Sequence, residues 1–275
     1  MGTRALTRAA GAAPRTGTGT ATPRARQAES SAAPADLTEQ IEAVATELFI
    51  RNGYHGVSYL GIGKQLGITH SNVHYYYRTK AALATAVLKR VAKETLQSTE
   101  RIWADRASTL TEKFVRMRDW TFDSYLRFNP EGKGGRPWGL LSRFSMEADA
   151  LTPEIRQDIR ATLLKLEDSI RGAVEMSVAN RELAQDAPVE AITLQISSVM
   201  YMTGQLTRHA SGFSRLDELL MWTITGLLKA YGDGSRFPVP WPAVDGLAAR
   251  ATVARKQSVA PAAIRSSQSP MKETT

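Results

Sequence analysis

From residue 36 to residue 232 the apolar residues of this chain recur at a helical period, and nowhere do they alternate as a half-buried strand requires. The stripe Leu37, Ile41, Val44, Ala45, Leu48 and Phe49 marks a first helix. It starts at Asp36, where Asp36 and Glu39 stand as a cap, and stops at Asn52-Gly53. Ser58 is placed to cap a short second helix to Leu66, Gly67 breaks the chain, and Thr69 caps a third helix to Tyr77. Thr79 caps a long fourth helix over 80–103. The spacing predicts further helices over 109–128, 137–148, 152–179, 188–210 and 215–232, with Pro153 near one start and Gly212 between the last two. The fold class is therefore all-α, with a three-helix N-terminal domain over 36–83 and a larger helical body over 84–232.

The flanks are different material. Residues 1–35 are Ala, Gly, Thr, Pro and Arg with almost no large apolar side chain, too little to offset the entropy of ordering, so a disordered basic arm is expected. Residues 233–275 read as a largely disordered tail, except that the "FPVPWP" patch over 237–242 is suited to pack in extended form, since its prolines forbid helix. Charge follows the same division. Of the net +8, +4 lies in residues 1–35 and +3 in 233–275, so the basic balance of the whole chain is no argument for a basic folded body. The chain has no cysteine, which removes disulfides and thiolate chemistry and fits a reducing compartment. No apolar run reaches the length of a membrane span, and the Arg-rich start lacks the apolar segment of a secretory signal; the expected location is cytoplasmic, with no membrane partner.

The segment 58–80, SYLGIGKQLGITHSNVHYYYRTK, has the form of a helix-turn-helix, the unit that lays its second helix in the major groove of double-stranded DNA. Ile62, Leu66, Ile68 and Val73 fall where such a unit buries its core, and Thr69, His70, Ser71, Asn72, His74 and Tyr75 are left facing outward. Of the three consecutive tyrosines, Tyr77 is expected in the core and Tyr75 and Tyr76 outside it. Lys64, Arg78 and Lys80 flank the unit, and no acid lies between Phe49 and Lys93.

Residues 37–83 resemble the DNA-binding domain of the tetracycline-repressor (TetR) family. The resemblance rests on the run Ala45 to Tyr54, Val57-Ser58, Ile62, Leu66 to Thr69, and Tyr76 to Leu83. It implies that Thr69, His70, Ser71 and Asn72 lie at the groove, that His74 and Tyr76 touch phosphate, and that Lys80 binds phosphate at the start of the fourth helix. Ser58, Lys64 and Tyr75 complete the expected DNA-facing set. The chain departs from the family at His74 (usually Tyr), Gly63 (usually Ala), Tyr77 (usually Phe) and Ala81 (usually an acid), and Gly63 should cost about 1 kcal/mol of helix propensity.

The resemblance also implies an effector-binding and dimerisation body. Trp103, Trp120, Tyr125, Trp138, Phe144, Met176 and Tyr201 are the candidates to line a pocket for a small apolar effector, and the Gly-rich loop 129–138 is expected to be mobile and able to gate it. The helices near 188–210 and 215–232 are apolar around most of their circumference and are suited to form a four-helix homodimer interface, with residues 36–232 expected to suffice for it. An enzyme is the least supported class. The four histidines are 55, 70, 74 and 209, three of them in the DNA-binding segment, and neither a nucleophile elbow, a P-loop nor a zinc-protease helix is present. No catalytic residue, metal or cofactor is expected. The leading expectation is a ligand-released repressor; the alternative is an effector-independent DNA-binding protein that uses its basic arms.

Overall fold

The computed structural model describes residues 34–232 and 239–242, with side chains from Leu37 onward. The expectations for the basic arm over 1–35, and for the tail outside 239–242, concern residues almost wholly outside those described. Nine α-helices follow one another: α1 (Pro34–Asn52), α2 (Tyr59–Leu66), α3 (His70–Tyr76), α4 (Lys80–Trp103), α5 (Leu110–Leu126), α6 (Leu140–Met146), α7 (Pro153–Ala179), α8 (Val189–His209) and α9 (Ser214–Tyr231). A single 3₁₀ turn (Ala148–Ala150) joins α6 to α7. Among the described residues there is no strand, only the isolated bridges Lys133–Gly212 and Leu183–Gly232.

The helix starts follow their caps. The hydroxyls of Ser58, Thr69 and Thr79 accept from the backbone N–H of Gly61, Asn72 and Ala82 at 3.1, 3.2 and 3.1 Å. Thr109 and Glu112 form a reciprocal capping box on α5, and Pro153 occupies the first turn of α7 behind Thr152. Two boundaries differ from expectation. Helix α1 begins at Pro34, so Asp36 lies inside it and is no cap. Helix α6 covers only Leu140–Met146, because the chain tightens into the 3₁₀ turn before Leu151.

The buried side chains form two cores. One joins Ile41, Ala45, Phe49, Ile62, Val73 and Leu83 of the first four helices to Phe128, Leu140, Phe144, Ile155 and Ile159 of the body. The second lies wholly in the body and gathers Trp103, Phe114, Phe122, Tyr125, Ile192, Phe213 and Leu220. Helix α4 runs through both, from Leu83 in the first to Trp103 in the second, and packs along α7.

The loop 129–138 is fastened, not mobile. Buried Asn129 accepts from the backbone N–H of Arg136 at 3.1 Å and donates to the carbonyls of Tyr125 and Arg136. The Tyr125 hydroxyl donates to the Gly134 carbonyl at 2.7 Å, and the Gly134 N–H donates to the Ser211 carbonyl at 2.9 Å. Those contacts tie the loop to α5 and to the α8–α9 turn, which removes the gating role expected of it.

Residues 239–242 fold back onto the body as an extended strap. Val239 and Trp241 pack against the second core, and the Trp241 indole N–H donates to Asp217 in the first turn of α9 at 3.2 Å. Beneath the strap lies Arg118 of α5, only 2% exposed. Its guanidinium donates to the Pro242 carbonyl at 2.7 Å, sits 5.0 Å from the centre of the Trp241 ring, and pairs with Asp119 at 2.9 Å and Asp217 at 3.6 Å. The folded unit therefore extends to Pro242, beyond the 36–232 limit read from the sequence.

Candidate nucleic-acid interface

Helices α2 and α3 meet across the Ile68 turn. Gly67 closes α2 in the left-handed region at φ 69°, and Ile62 and Val73 are fully buried between the helices. Leu66 and Ile68 are half-buried against the same core. The closeness of the turn explains Gly63. A β-carbon there would stand 2.6 Å from the Ile68 carbonyl oxygen, a backbone atom that cannot swing away. Gly63→Ala, which helix propensity alone would make stabilising by about 1 kcal/mol, is expected to lower the unfolding temperature, as differential scanning calorimetry of the two chains would register.

Helix α3 presents its polar side chains outward. His70, Ser71, Asn72, His74 and Tyr75 are exposed, Tyr75 at 81%, as are Thr69, Ser58 and Lys64. Tyr76 is half-buried and meets Tyr75 edge-on at 5.4 Å, so it is less open than expected. Tyr77 is half-buried as well. Its hydroxyl donates to Glu42, which also pairs with Arg90 at 3.3 Å; burial first and the Glu42 carboxylate second push the phenol above its usual range. Burial, then Tyr54, raises the Tyr59 phenol, which keeps it neutral beside the His74 ring, 6.1 Å away. The Ser58 and Thr69 hydroxyls are both engaged as caps.

Lys80 stands at the first position of α4. Its ammonium lies 5.0 Å from the centre of the Tyr54 ring and donates to the carbonyls of Val57 at 3.2 Å and His55 at 3.4 Å. It thus braces the loop that leads into α2 and places a cation between the N-terminal ends of α2 and α4. Lys64, Arg78 and Lys80 form no ion pair among the described residues. Of the acids on α1, Glu42 is held by Arg90 and Glu47 by Arg51.

The electrostatic division between head and body is sharp at the helix starts. Helices α5, α7, α8 and α9 each carry an acid in the first turn (Glu112, Glu154, Glu190 and Asp217), the ordinary complement to a helix dipole. Helices α2, α3 and α4 carry none. Their uncompensated amides and the three unpaired cations give this side of the head the charge that suits a phosphate backbone.

Residues 41–87 match the sequence profile of the bacterial regulatory proteins of the tetR family. The chain belongs to the TetR family. As a TetR-family protein it is a DNA-binding transcriptional regulator and not an enzyme. Its fold is that of solved TetR structures. A TetR-family transcriptional regulator from Agrobacterium tumefaciens aligns at TM-score 0.63 and 16% identity, over 73% of this chain and 100% of its own. A TetR transcriptional regulator from Chloroflexus aurantiacus gives 0.61 and 18%, over 72% and 97%. Regulatory protein TetR from Rhodobacter sphaeroides gives 0.59 and 15%, over 70% and 97%. At these identities the likeness is one of fold alone. No curated protein sequence matches the chain.

The residues expected around an effector are distributed differently from one pocket. Trp103 and Tyr125 are fully buried in the body core, with Trp120, Trp138 and Met176 packed against it. Phe144 belongs to the other core, edge-on to Phe49 at 5.4 Å. Trp138 donates to the Thr207 hydroxyl at 2.9 Å, and Tyr201 donates to the Leu163 carbonyl at 2.7 Å. Two surface clefts run along α4, of about 450 and 370 Å³, and none of the seven residues lines either. No described helix is long and apolar enough to cross a membrane.

One connection was not visible in the sequence. The Glu147 carboxylate, just after α6, accepts from the Tyr54 backbone N–H at 2.7 Å and pairs with Arg143 at 2.6 Å. It joins the α1–α2 turn of the head directly to the body. The one local hint was Gly53, read only as the end of a helix; at φ 73° its missing side chain is also what admits the two charged groups.

Proposed function

We propose that the chain is a homodimeric repressor that reads a palindromic operator and is released from it by a small apolar effector. The observation that carries this reading is the head itself, an exposed polar α3 among three acid-free helix starts. His70, Ser71 and Asn72 face base edges, with Thr69 and Ser58 fixing the helix starts from which they project, and Lys64, His74, Tyr75, Tyr76 and Lys80 meet phosphates. Lys80→Ala is expected to weaken binding to every DNA sequence alike, whereas Asn72→Ala changes which sequences are preferred. Affinities measured for both variants on a panel of duplexes test this; identical sequence profiles would defeat the assigned roles.

Dimerisation through α8 and α9 is supported by the apolar side chains on their open faces. Leu194 and Met202 on α8 are 61% and 50% exposed, and Trp222 on α9 is 64% exposed. A single chain seldom leaves so much apolar surface on neighbouring helices to water. Trp222→Glu is expected to give a monomer in light scattering and to weaken operator binding steeply, since a buried Trp is worth about 2 kcal/mol or more on each side of a symmetric interface. An effector among Trp103, Trp120, Tyr125, Trp138, Phe144, Met176 and Tyr201 gains room only if the body helices part, and that movement would change the spacing of the two heads. Selection of bound DNA from a random pool tests the whole reading: an enriched palindrome is expected, and no enriched sequence would end it.

A further inference from the structure

Thr69 and Asn72 hold one another. The Thr69 hydroxyl accepts the Asn72 backbone N–H at 3.2 Å and donates its only proton to the Asn72 side-chain oxygen at 2.7 Å. The carboxamide oxygen is thereby turned to the helix cap. Both residues are exposed, and the NH₂ group, with its two donors, is the part of Asn72 left to face a base.

We propose that Asn72 is the specificity-determining residue of α3 and that, as a donor-only group, it selects guanine at the base it meets. The inference rests on α3 being the groove helix. In the major groove guanine shows two acceptors, adenine an acceptor beside a donor, thymine an acceptor beside a methyl group, and cytosine a donor. An unconstrained Asn reads adenine, because its oxygen accepts from N6 while its nitrogen donates to N7. With the oxygen committed to Thr69, adenine would set its N6 donor against a side chain that offers only donors, and an unmet donor at a desolvated contact is costly. Guanine meets the NH₂ group with acceptors alone. Thr69 is then a positioning residue: it touches no base in this arrangement, yet it decides which half of the Asn72 amide does.

The test is selection of bound DNA from a random pool by four full-length chains: the parent, Asn72→Ala, Thr69→Ser and Thr69→Val. The position that Asn72→Ala levels is the one Asn72 faces. Guanine is expected there for the parent and for Thr69→Ser, preferred over adenine by about tenfold or more. Thr69→Val keeps the side-chain shape and removes the proton donor, so it is expected to admit adenine at that position and leave the others unchanged. Should the loss of the cap abolish binding by Thr69→Val, the parent chain still decides the matter through its affinity for duplexes that differ only by guanine or adenine at that position. Any base other than guanine there, or equal affinity for the two duplexes, overturns the proposal, as does an unchanged motif in Asn72→Ala. A parent chain that enriches no motif overturns the groove-helix reading instead.

Discussion

Arg118→Leu is expected to unfold roughly 6–12 °C below the parent chain, a loss of about 3 kcal/mol for a folded unit of this size. Three kinds of contact fail together. The Pro242 carbonyl loses its donor, the Trp241 ring loses its cation, and Asp119 and Asp217 lose a shared counter-charge. The acids are about one-third and one-quarter exposed, so water softens the penalty below that of a wholly buried pair. Arg118→Lys should recover little, because one ammonium cannot serve a carbonyl, a ring face and two carboxylates held in different directions. A chain ending at Gly232 should lose stability in the same range, since it lacks the strap while keeping the buried guanidinium. Thermal unfolding of these chains, followed by circular dichroism, measures each shift. Equal unfolding temperatures for Arg118→Leu and the parent would show that the strap contributes nothing.

Gly53→Ala is expected to cost about 2–3 kcal/mol of stability and to weaken operator binding at the same time. The backbone at φ 73° is itself unfavourable for a side chain. A β-carbon there would also fall 2.2 Å from Glu147 Oε1 and 2.5 Å from Arg143 Nη2. Those are ends of flexible side chains and can retreat, but retreat withdraws Glu147 from the Tyr54 N–H. The head would then keep its own helices and lose its fixed angle to α6. A double-mutant cycle separates the two costs: once Glu147→Ala is present, Gly53→Ala should cost only its backbone share, and strict additivity would show that the two sites are uncoupled.

What the sequence disclosed was what neighbours along the chain decide. Caps at Ser58, Thr69, Thr79 and Thr152 act within three residues, so the helix starts they govern fell where their residue types indicated. The head was legible for the same reason, because Ile62, Val73 and Leu83 and the polar face between them lie within one short segment. Contacts across the chain left no local trace. Glu147 meets Tyr54 from 93 residues away, and Arg118 meets Pro242 from 124. Phe144 has the composition of a pocket residue and is in fact the body's wedge against Phe49. The loop 129–138 looked mobile because it is rich in glycine, while its order comes from one asparagine and one tyrosine hydroxyl whose partners no spacing rule supplies.

The strap also changes where the rest of the chain begins. Helix α9 ends at Tyr231, yet Trp241 is fastened to Asp217 in its first turn, about 20 Å back along the helix axis. Whatever follows Pro242 is therefore tethered at the opposite end of α9 from the one at which the helix stops. A tag, dye or second protein joined there samples a sphere centred on that point, and linker lengths reckoned from Tyr231 would be wrong by nearly the length of α9.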